Sequence, residues 1–348
     1  DAMEVEGEVG ITDAIKAKMT ERSTQLSKAR KKREISSTLA TEDEVSKYTE
    51  KSSHPVHLAN AILCLDIHPS KPNLALTGGA DNKVVMFDRA TGKAGLKLEG
   101  HSKKVLRVQF HPTQNLLFSA SADKTVRVWD STNGKSLYTL KDHKGDVTGV
   151  SVHATGDFIV TASTDRTWAF YDLARGVCRK VVSDAAVAGG YSSATLHPDG
   201  LILGTGTTDS MCRVWDVKTQ QNVVSFTGHT GPVSSLAFSE NGYYLSTTGQ
   251  DGFKVWDLRK VAKQGAQATP VRQFAPMGDE ANEACFDYSG TYLALAGAKG
   301  VQVYHTKTWA EVLSLGSAHS ASVTGVRFGA DAKFVASCSK DRALKFFA

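Results

Sequence analysis

From residue 62 onward, short apolar runs alternate with turn residues in a fixed order. Ile62, Leu63, Leu65 and Ile67 form a run that stops at His68-Pro69, and Leu74-Ala75-Leu76 and Val84-Val85-Met86-Phe87 follow it. Runs this short, bounded by turns, predict strands. The order returns at Val105 to Phe110, His111-Pro112, Leu116 to Ser119 and Val126 to Trp129, and again at Val147 to Val152, His153, Phe158 to Ala162 and Trp168 to Tyr171. Turns at the same phase recur at His197-Pro198-Asp199-Gly200, Glu240-Asn241-Gly242, Tyr288-Ser289-Gly290 and Ala330-Asp331. Each unit ends alike: Phe87-Asp88, Trp129-Asp130, Tyr171-Asp172, Trp215-Asp216, Trp256-Asp257, Tyr304-His305 and Phe347-Ala348, spaced by 42, 42, 44, 41, 48 and 43 residues. That is the period of four-stranded propeller blades. The fold class read from it is all-β, a seven-bladed propeller over residues 54–348. A blade alone exposes both its faces, so the seven must fold as a ring.

The two ends predict how the ring closes. The chain stops at Ala348, directly after the third strand of the last unit, and the extended segment from Lys47 to Leu58 is the candidate for its fourth strand. Residues 1–11 are acidic and contain glycine, which predicts a disordered lead-in. Ile11, Ile15, Met19 and Leu26 then recur at helical spacing, with Thr12 and Asp13 available as caps, predicting a helix over 12–33. Its basic end, Lys28, Arg30, Lys31, Lys32 and Arg33, reads either as a nuclear-import signal or as a solvated helix terminus where the dipole favours cations. Residues 34–53 are polar and read as an extended linker. An opening at Asp1 instead of Met suggests a piece of a longer protein.

The stretch SASADKTVRVWD, Ser119 to Asp130, resembles the closing signature of WD40 repeats. That resemblance implies a hydrogen-bonded network inside each blade. In blade two it comprises His101 (after Gly100), Ser119, Ser121, Asp123 and Trp129; blade three offers His143, Thr161 or Ser163, and Asp165, with Tyr171 in the tryptophan's place. Blade five offers His229, Thr247, Asp251 and Trp256, and blade seven His319, Ser337 or Ser339, and Asp341. Blade four keeps Asp209 and Trp215 without a histidine, blade one keeps Asp81, and blade six has neither, so apolar packing is expected to hold those three. The WD40 pattern also implies a partner-binding rim, carried onto Lys104, Leu106, Asp146, Thr148, Thr164, Ser234, Gln250, Thr324 and Lys340. Such a mixture of hydroxyl, apolar and a few charged groups suits a peptide better than an RNA backbone.

Longer stretches narrow the resemblance. HATGDFIVTASTD (His153 to Asp165), HPDGLILGTGTTDS (His197 to Ser210), GHTGPVSSLAFSENGYYL (Gly228 to Leu245) and DYSGTYLALAG (Asp287 to Gly297), with ARKKR ahead of the blades, are similar to the pre-mRNA-processing factor nineteen family in its plant-like form. The resemblance covers residues 12–348. It implies a splicing-associated ubiquitin ligase of the nucleus, with a link to DNA repair, in which a U-box recruits the ubiquitin-conjugating enzyme and a coiled coil forms a homotetramer. Neither part is within these 348 residues, so the intact protein would be the ubiquitin transferase and this chain its recognition scaffold for ligase-complex proteins and clients. Contact with spliceosomal RNA would be indirect.

Composition adds exclusions. Residues 1–50 hold nine basic and eleven acidic side chains, leaving 32 basic against 25 acidic in the blades, a mild surplus with no concentrated stripe. Cys64, Cys178, Cys212, Cys285 and Cys338 are far apart, lack a C-x-x-C pair and read as reduced core thiols of an intracellular protein. No run approaches the roughly 20 apolar residues of a membrane span. His101, His143, His229 and His319 fall at network positions and His68, His111, His153 and His197 at turns, none at a metal-ligand spacing, so no metal and no cofactor is expected. Gly204-Thr205-Gly206 precedes Asp209 within a strand pair instead of opening a helix, and no G-x-S-x-G elbow occurs. Two further readings stay open: an RNA-binding propeller of a ribonucleoprotein, and a general protein-interaction adaptor.

Overall fold

Each sequence repeat becomes one antiparallel four-stranded sheet in the computed structural model, which describes residues 10–57, 60–298 and 300–348. Blade one is Ile62–Ile67, Leu74–Gly79, Val84–Asp88 and Lys93–Leu98, and blade two is Val105–Phe110, Leu116–Ser121, Val126–Asp130 and Ser136–Leu140. In every blade the first strand packs beside the first strand of the next, so these strands, the last being Val323–Phe328, form the inner wall of a circle. Between neighbouring sheets lie the large side chains that the alternation placed inward. Trp129, Trp168, Trp215 and Trp256 are all fully buried there. Aromatic burial of this size dominates core energetics.

The circle closes through the N-terminal segment. Glu50–Pro55 pairs antiparallel with Ala343–Phe347, with His54 opposite Leu344, and completes blade seven as its outermost strand. Leu58, the expected limit of that segment, lies outside the described residues, as do residues 1–9 of the expected disordered lead-in. The longest spacing, before Tyr304-His305, reflects a helix inserted in blade five, Leu258–Gln264, ahead of a three-residue outer strand, Arg272–Phe274.

Helix α1, Asp13–Lys31, starts at Thr12, whose hydroxyl accepts from the Ile15 amide. It does not stand free. Ile11, Ile15 and Met19 pack on Phe158, Phe170, Trp215 and Val217 of blades three and four. Arg22 Nε donates to the Ala154 carbonyl at 3.0 Å, and Lys18 pairs with Asp157 at 2.8 Å.

The stretch 34–53 departs from the extended linker expected of it. Glu42–Ser46 forms a second helix, α2, because Thr41 and Glu44 make a reciprocal capping box that satisfies its first amides. Ala40, Val45 and Tyr48 bury themselves against Tyr292, Val301, Phe328 and Ala332 of blades six and seven. Tyr48 Oη donates to the Ala332 carbonyl (2.7 Å) and Tyr292 Oη to the Ala40 carbonyl (2.8 Å). A polar average concealed three apolar anchors.

A chain trimmed to begin at Ile62 loses the closing strand and leaves the edge of Ala343–Phe347 unpaired beside Phe346 and Phe347, which are core residues. An exposed apolar edge templates strand addition. The trimmed chain is expected to aggregate in size-exclusion chromatography, whereas one beginning at Thr41 stays monomeric. Equal monomer fractions for both would refute closure as the controlling contact.

Candidate protein-docking face

Antiparallel blades give the ring two unlike faces. Turns from first to second strand, and from third to fourth, open on one face, called lower here; turns from second to third strand, and the links between blades, open on the upper face. The lower face from blade three to blade seven is strapped by the protein's own N-terminal segment. After Arg22 and Lys18 on blade three, the Arg30 guanidinium lies beside Asp199 and Gly242 of blades four and five. Arg33 Nη2 donates to the Tyr288 carbonyl of blade six (2.5 Å) and stacks 4.1 Å from that ring, and Thr38 donates to Asp331 of blade seven. Of the basic run, Lys28, Lys31 and Lys32 remain exposed while Arg30 and Arg33 are docked.

Turn histidines staple the lower face under this strap. The Nε2 atoms of His111, His153 and His197 donate to the carbonyls of Gly156, Gly200 and Gly242, each in the following blade, at 2.8, 2.9 and 3.1 Å. Gly200 has φ +81°, and a Cβ there would come within 2.6 Å of His153 Nε2, so only glycine admits the staple.

Inside blade two, His101 Nδ1 lies 2.8 Å from Asp123 Oδ2 and Nε2 2.8 Å from Ser119 Oγ, which also accepts from Trp129 Nε1 at 2.9 Å. Because Ser119 accepts from the indole, its own proton goes to His101 Nε2, which leaves the Nδ1 proton for Asp123. The same connections join His143 to Asp165 and Thr161, His229 to Asp251 and Thr247, and His319 to Asp341 and Ser337. Trp256 adds its bond to Thr247 at 2.9 Å. Ser163 and Ser339 have a separate task, accepting the Asp165 and Asp341 amides in the turns.

Blade one corrects the sequence reading. It has its own histidine: His57 Nδ1 is 2.9 Å from Asp81 and Nε2 3.0 Å from Thr77. His57 differs from the others in preceding its aspartate by 24 residues, where the other four pairs are 22 apart. A search tolerant of two residues would have found it. Blade four uses Arg213 in the vacant place, 3.7 Å from Asp209 and donating to the Ala186 carbonyl, while Trp215 still donates to Thr205.

The nine rim residues all reach the upper face, but they separate into two kinds. Lys104 and Asp146 precede inner strands, and their carbonyls accept the Ala122 and Thr164 amides across the rim. The side chains of Lys104, Thr164, Gln250 and Lys340 are exposed. Thr148, Ser234 and Thr324, by contrast, are occupied. Thr148 Oγ1 donates to the Tyr191 carbonyl (2.8 Å), Ser192 Oγ to Val233 (2.5 Å), Ser234 Oγ to Ala281 (3.5 Å), Asn282 Nδ2 to Val323 (2.8 Å) and Thr324 Oγ1 to Ile62 (2.8 Å). These are the second residues of successive inner strands, each tied to the next blade around the channel mouth. The pattern breaks at Leu63 and Leu106, whose side chains cannot donate.

A family profile described as the Prp19 WD40 domain matches residues 56–341. The chain belongs to the Prp19 family. Pre-mRNA-processing factor 19 of Oryza sativa subsp. japonica is 46% identical over 97% of this chain and 65% of its own length. Pre-mRNA-processing factor 19 homolog 2 of Arabidopsis thaliana is 44% identical over 97% and 64%, and Pre-mRNA-processing factor 19 of Mus musculus 44% over 97% and 67%. The chain thus spans about 65% of the length of these Prp19-family relatives.

This Prp19-family propeller also has a charged channel that periodicity did not reveal. Arg107 pairs with Glu283 at 2.7 Å, Arg327 with Glu283 at 2.9 Å and with Asp66 at 3.6 Å, tying blades one, two, six and seven around a cavity of about 390 Å³. Burial raises Asp66 to about 6, against the pull of Arg327. The signal was present as charged residues in otherwise apolar inner strands. No group of three or more potential metal ligands occurs among the described residues. Burial pushes the Cys64 and Cys212 thiols up to about 12 and Cys178 and Cys285 up to about 11, so none of these four is a thiolate at neutral pH.

Asp123→Ala removes the acceptor of His101, the Ser102 amide, the Thr125 amide and the Thr125 hydroxyl, whereas Asp209 accepts the Gly189 amide and the long Arg213 contact. Removing a buried partner costs about 1–3 kcal/mol. Urea unfolding is expected to show Asp123→Ala and His57→Ala each losing roughly 2 kcal/mol, and Asp209→Ala less than either. Equal losses at Asp123 and Asp209 would refute the network.

Burial lowers His68, His101, His111, His229 and His319 below the ordinary histidine value, and takes His153 down to about 4 against the Gly200 carbonyl. The unfolded chain therefore binds these protons first, near pH 6.5, and the stability present above that pH is lost as pH falls toward 4. Asp66 and Glu240, raised by burial, oppose this but are outnumbered. The melting temperature is expected to be lower at pH 5 than at pH 7.5; an unchanged or higher value at pH 5 would show that the two carboxylates prevail.

Proposed function

We propose that this propeller is the partner-recognition platform of a splicing factor whose intact form is a U-box ubiquitin ligase. The observation that carries the proposal is the asymmetry of the faces: five lower-face turns are occupied by the protein's own strap, while the upper rim keeps exposed side chains at Lys104, Thr164, Gln250 and Lys340. Family membership, and the names of the relatives as pre-mRNA-processing factors, support the splicing role. In the intact protein the U-box would engage a ubiquitin-conjugating enzyme and a coiled coil would form the tetramer. The propeller would then bring ligase-complex proteins and clients to that machinery, in the nucleus and, by the same logic, in DNA repair. RNA would be approached through protein partners.

The test uses the full-length protein. Lys104→Glu with Lys340→Glu on the upper rim is expected to lose most partners in pull-downs from nuclear extract, at an unchanged melting temperature. Lys71→Glu, exposed on the uncovered lower turn of blade one, is expected to keep them. The tagged wild-type protein should accumulate in nuclei. Undiminished capture by the upper-rim variant would sink the platform reading, and exclusion from the nucleus would sink the splicing role.

A further inference from the structure

The upper mouth is uneven in a way that selects a ligand. Five of its seven second positions are polar and tied to the next blade, and the two that are not, Leu63 and Leu106, stand on neighbouring blades. With the five polar second positions, Arg107 and Glu283, they line the channel mouth, a cavity of about 230 Å³. Both are half-buried, so apolar surface faces solvent at one sector of an otherwise polar ring.

The same sector carries a net positive charge. Lys103, Lys104 and Lys124 on the upper turns around blade two, and Lys141, Lys144 and Arg166 on those around blade three, are exposed and have no ion-pair partner among the described residues. Four carboxylates share these turns, Asp123, Asp142, Asp146 and Asp165, so the six cations leave a positive surplus there. Across the mouth, blade six presents Asp279 and Glu280, with Lys340 of blade seven beside Glu280.

From this geometry we infer that the sector around Leu63 and Leu106 binds an acidic linear peptide with one apolar anchor residue, the anchor entering the channel mouth against the two leucines and the flanking carboxylates meeting the lysines. The inference rests on the platform reading and adds the chemistry of what the platform takes. A peptide fits better than single-stranded nucleic acid because base recognition needs aromatic stacking surfaces, and these upper turns carry none. The exposed tyrosines Tyr243 and Tyr288 lie on lower-face turns, under Arg259 and Arg33. Charge gives the encounter and register, and the anchor gives residence.

Fluorescence anisotropy with the full-length protein tests it, using three probes: a ten-residue peptide of Asp and Glu around one Leu, the same peptide with Ser replacing Leu, and a ten-nucleotide RNA. Replacing the anchor, or substituting Leu106→Asp, is expected to weaken the leucine peptide about tenfold. Lys103→Glu with Lys104→Glu should weaken it at least as much and flatten its salt dependence. Leu106→Ser, which restores a hydroxyl to the ring, is the variant to use if the aspartate disturbs folding. RNA binding as tight as the leucine peptide, or equal binding of the leucine and serine peptides, overturns the proposal. If no peptide binds while Lys104→Glu with Lys340→Glu still abolishes partner capture, the peptide chemistry is wrong and the platform stands. If capture is also unaffected, the platform fails with it.

Discussion

Everything in this molecule depends on one strand pairing, Glu50–Pro55 against Ala343–Phe347. A twisted four-stranded sheet has two apolar faces and two unpaired edges, and a row of seven leaves the terminal faces bare unless the row becomes a circle. Supplying the last outer strand from the start of the chain joins residues nearly three hundred positions apart, as the Lys345–Glu50 pair does beside it. Loop-closure entropy grows only slowly with length, so the ends can meet at modest cost once the blades between them are formed. The same requirement places His57 immediately after the closing strand, where it completes the network of blade one.

Around that circle, blades are joined at three levels by different chemistry. Lower turns use histidine donors to glycine carbonyls, the channel uses the Asp66–Arg327–Glu283–Arg107 chain, and the upper mouth uses short hydroxyl and amide side chains. Each contact satisfies a polar group that burial would otherwise penalise. The staples run from blade to blade, whereas the His–Asp networks run within a blade and fix its turn. Where a staple is missing, at Leu63 and Leu106, the surface is apolar instead. That difference makes the mouth directional and gives an otherwise repetitive ring a distinguishable sector.

The strap covers most of one face and leaves the other open. Met19 and Ile11 between blades three and four, Val45 and Tyr48 over blades six and seven, and the arginines between them cover turns that would otherwise be equivalent to the exposed ones of blades one and two. Since the strap is continuous with the closing strand, the contacts that complete the fold also set which surface remains uncovered. Ring closure and the covering of the lower face are therefore coupled through residues 11–55.

The sequence by itself determined the repeat. Alternation with period two, turn residues at a constant phase and a terminal aromatic every 41 to 48 residues are local properties, and local properties survive in a one-dimensional string. It also placed His101, His143, His229 and His319 correctly, because partners 22 residues apart lie within one blade. What tertiary structure decided was every relation between blades. Thr148, Ser234 and Thr324 read as rim contacts until their neighbours' carbonyls came into view, Glu283 gave no sign of meeting Arg107 across 176 positions, and Tyr48 looked like linker until Ala332 accepted its hydroxyl. A repeat states what one blade does alone, but whether a side chain is free or tied depends on the blade beside it, and only the closed circle brings that blade into contact.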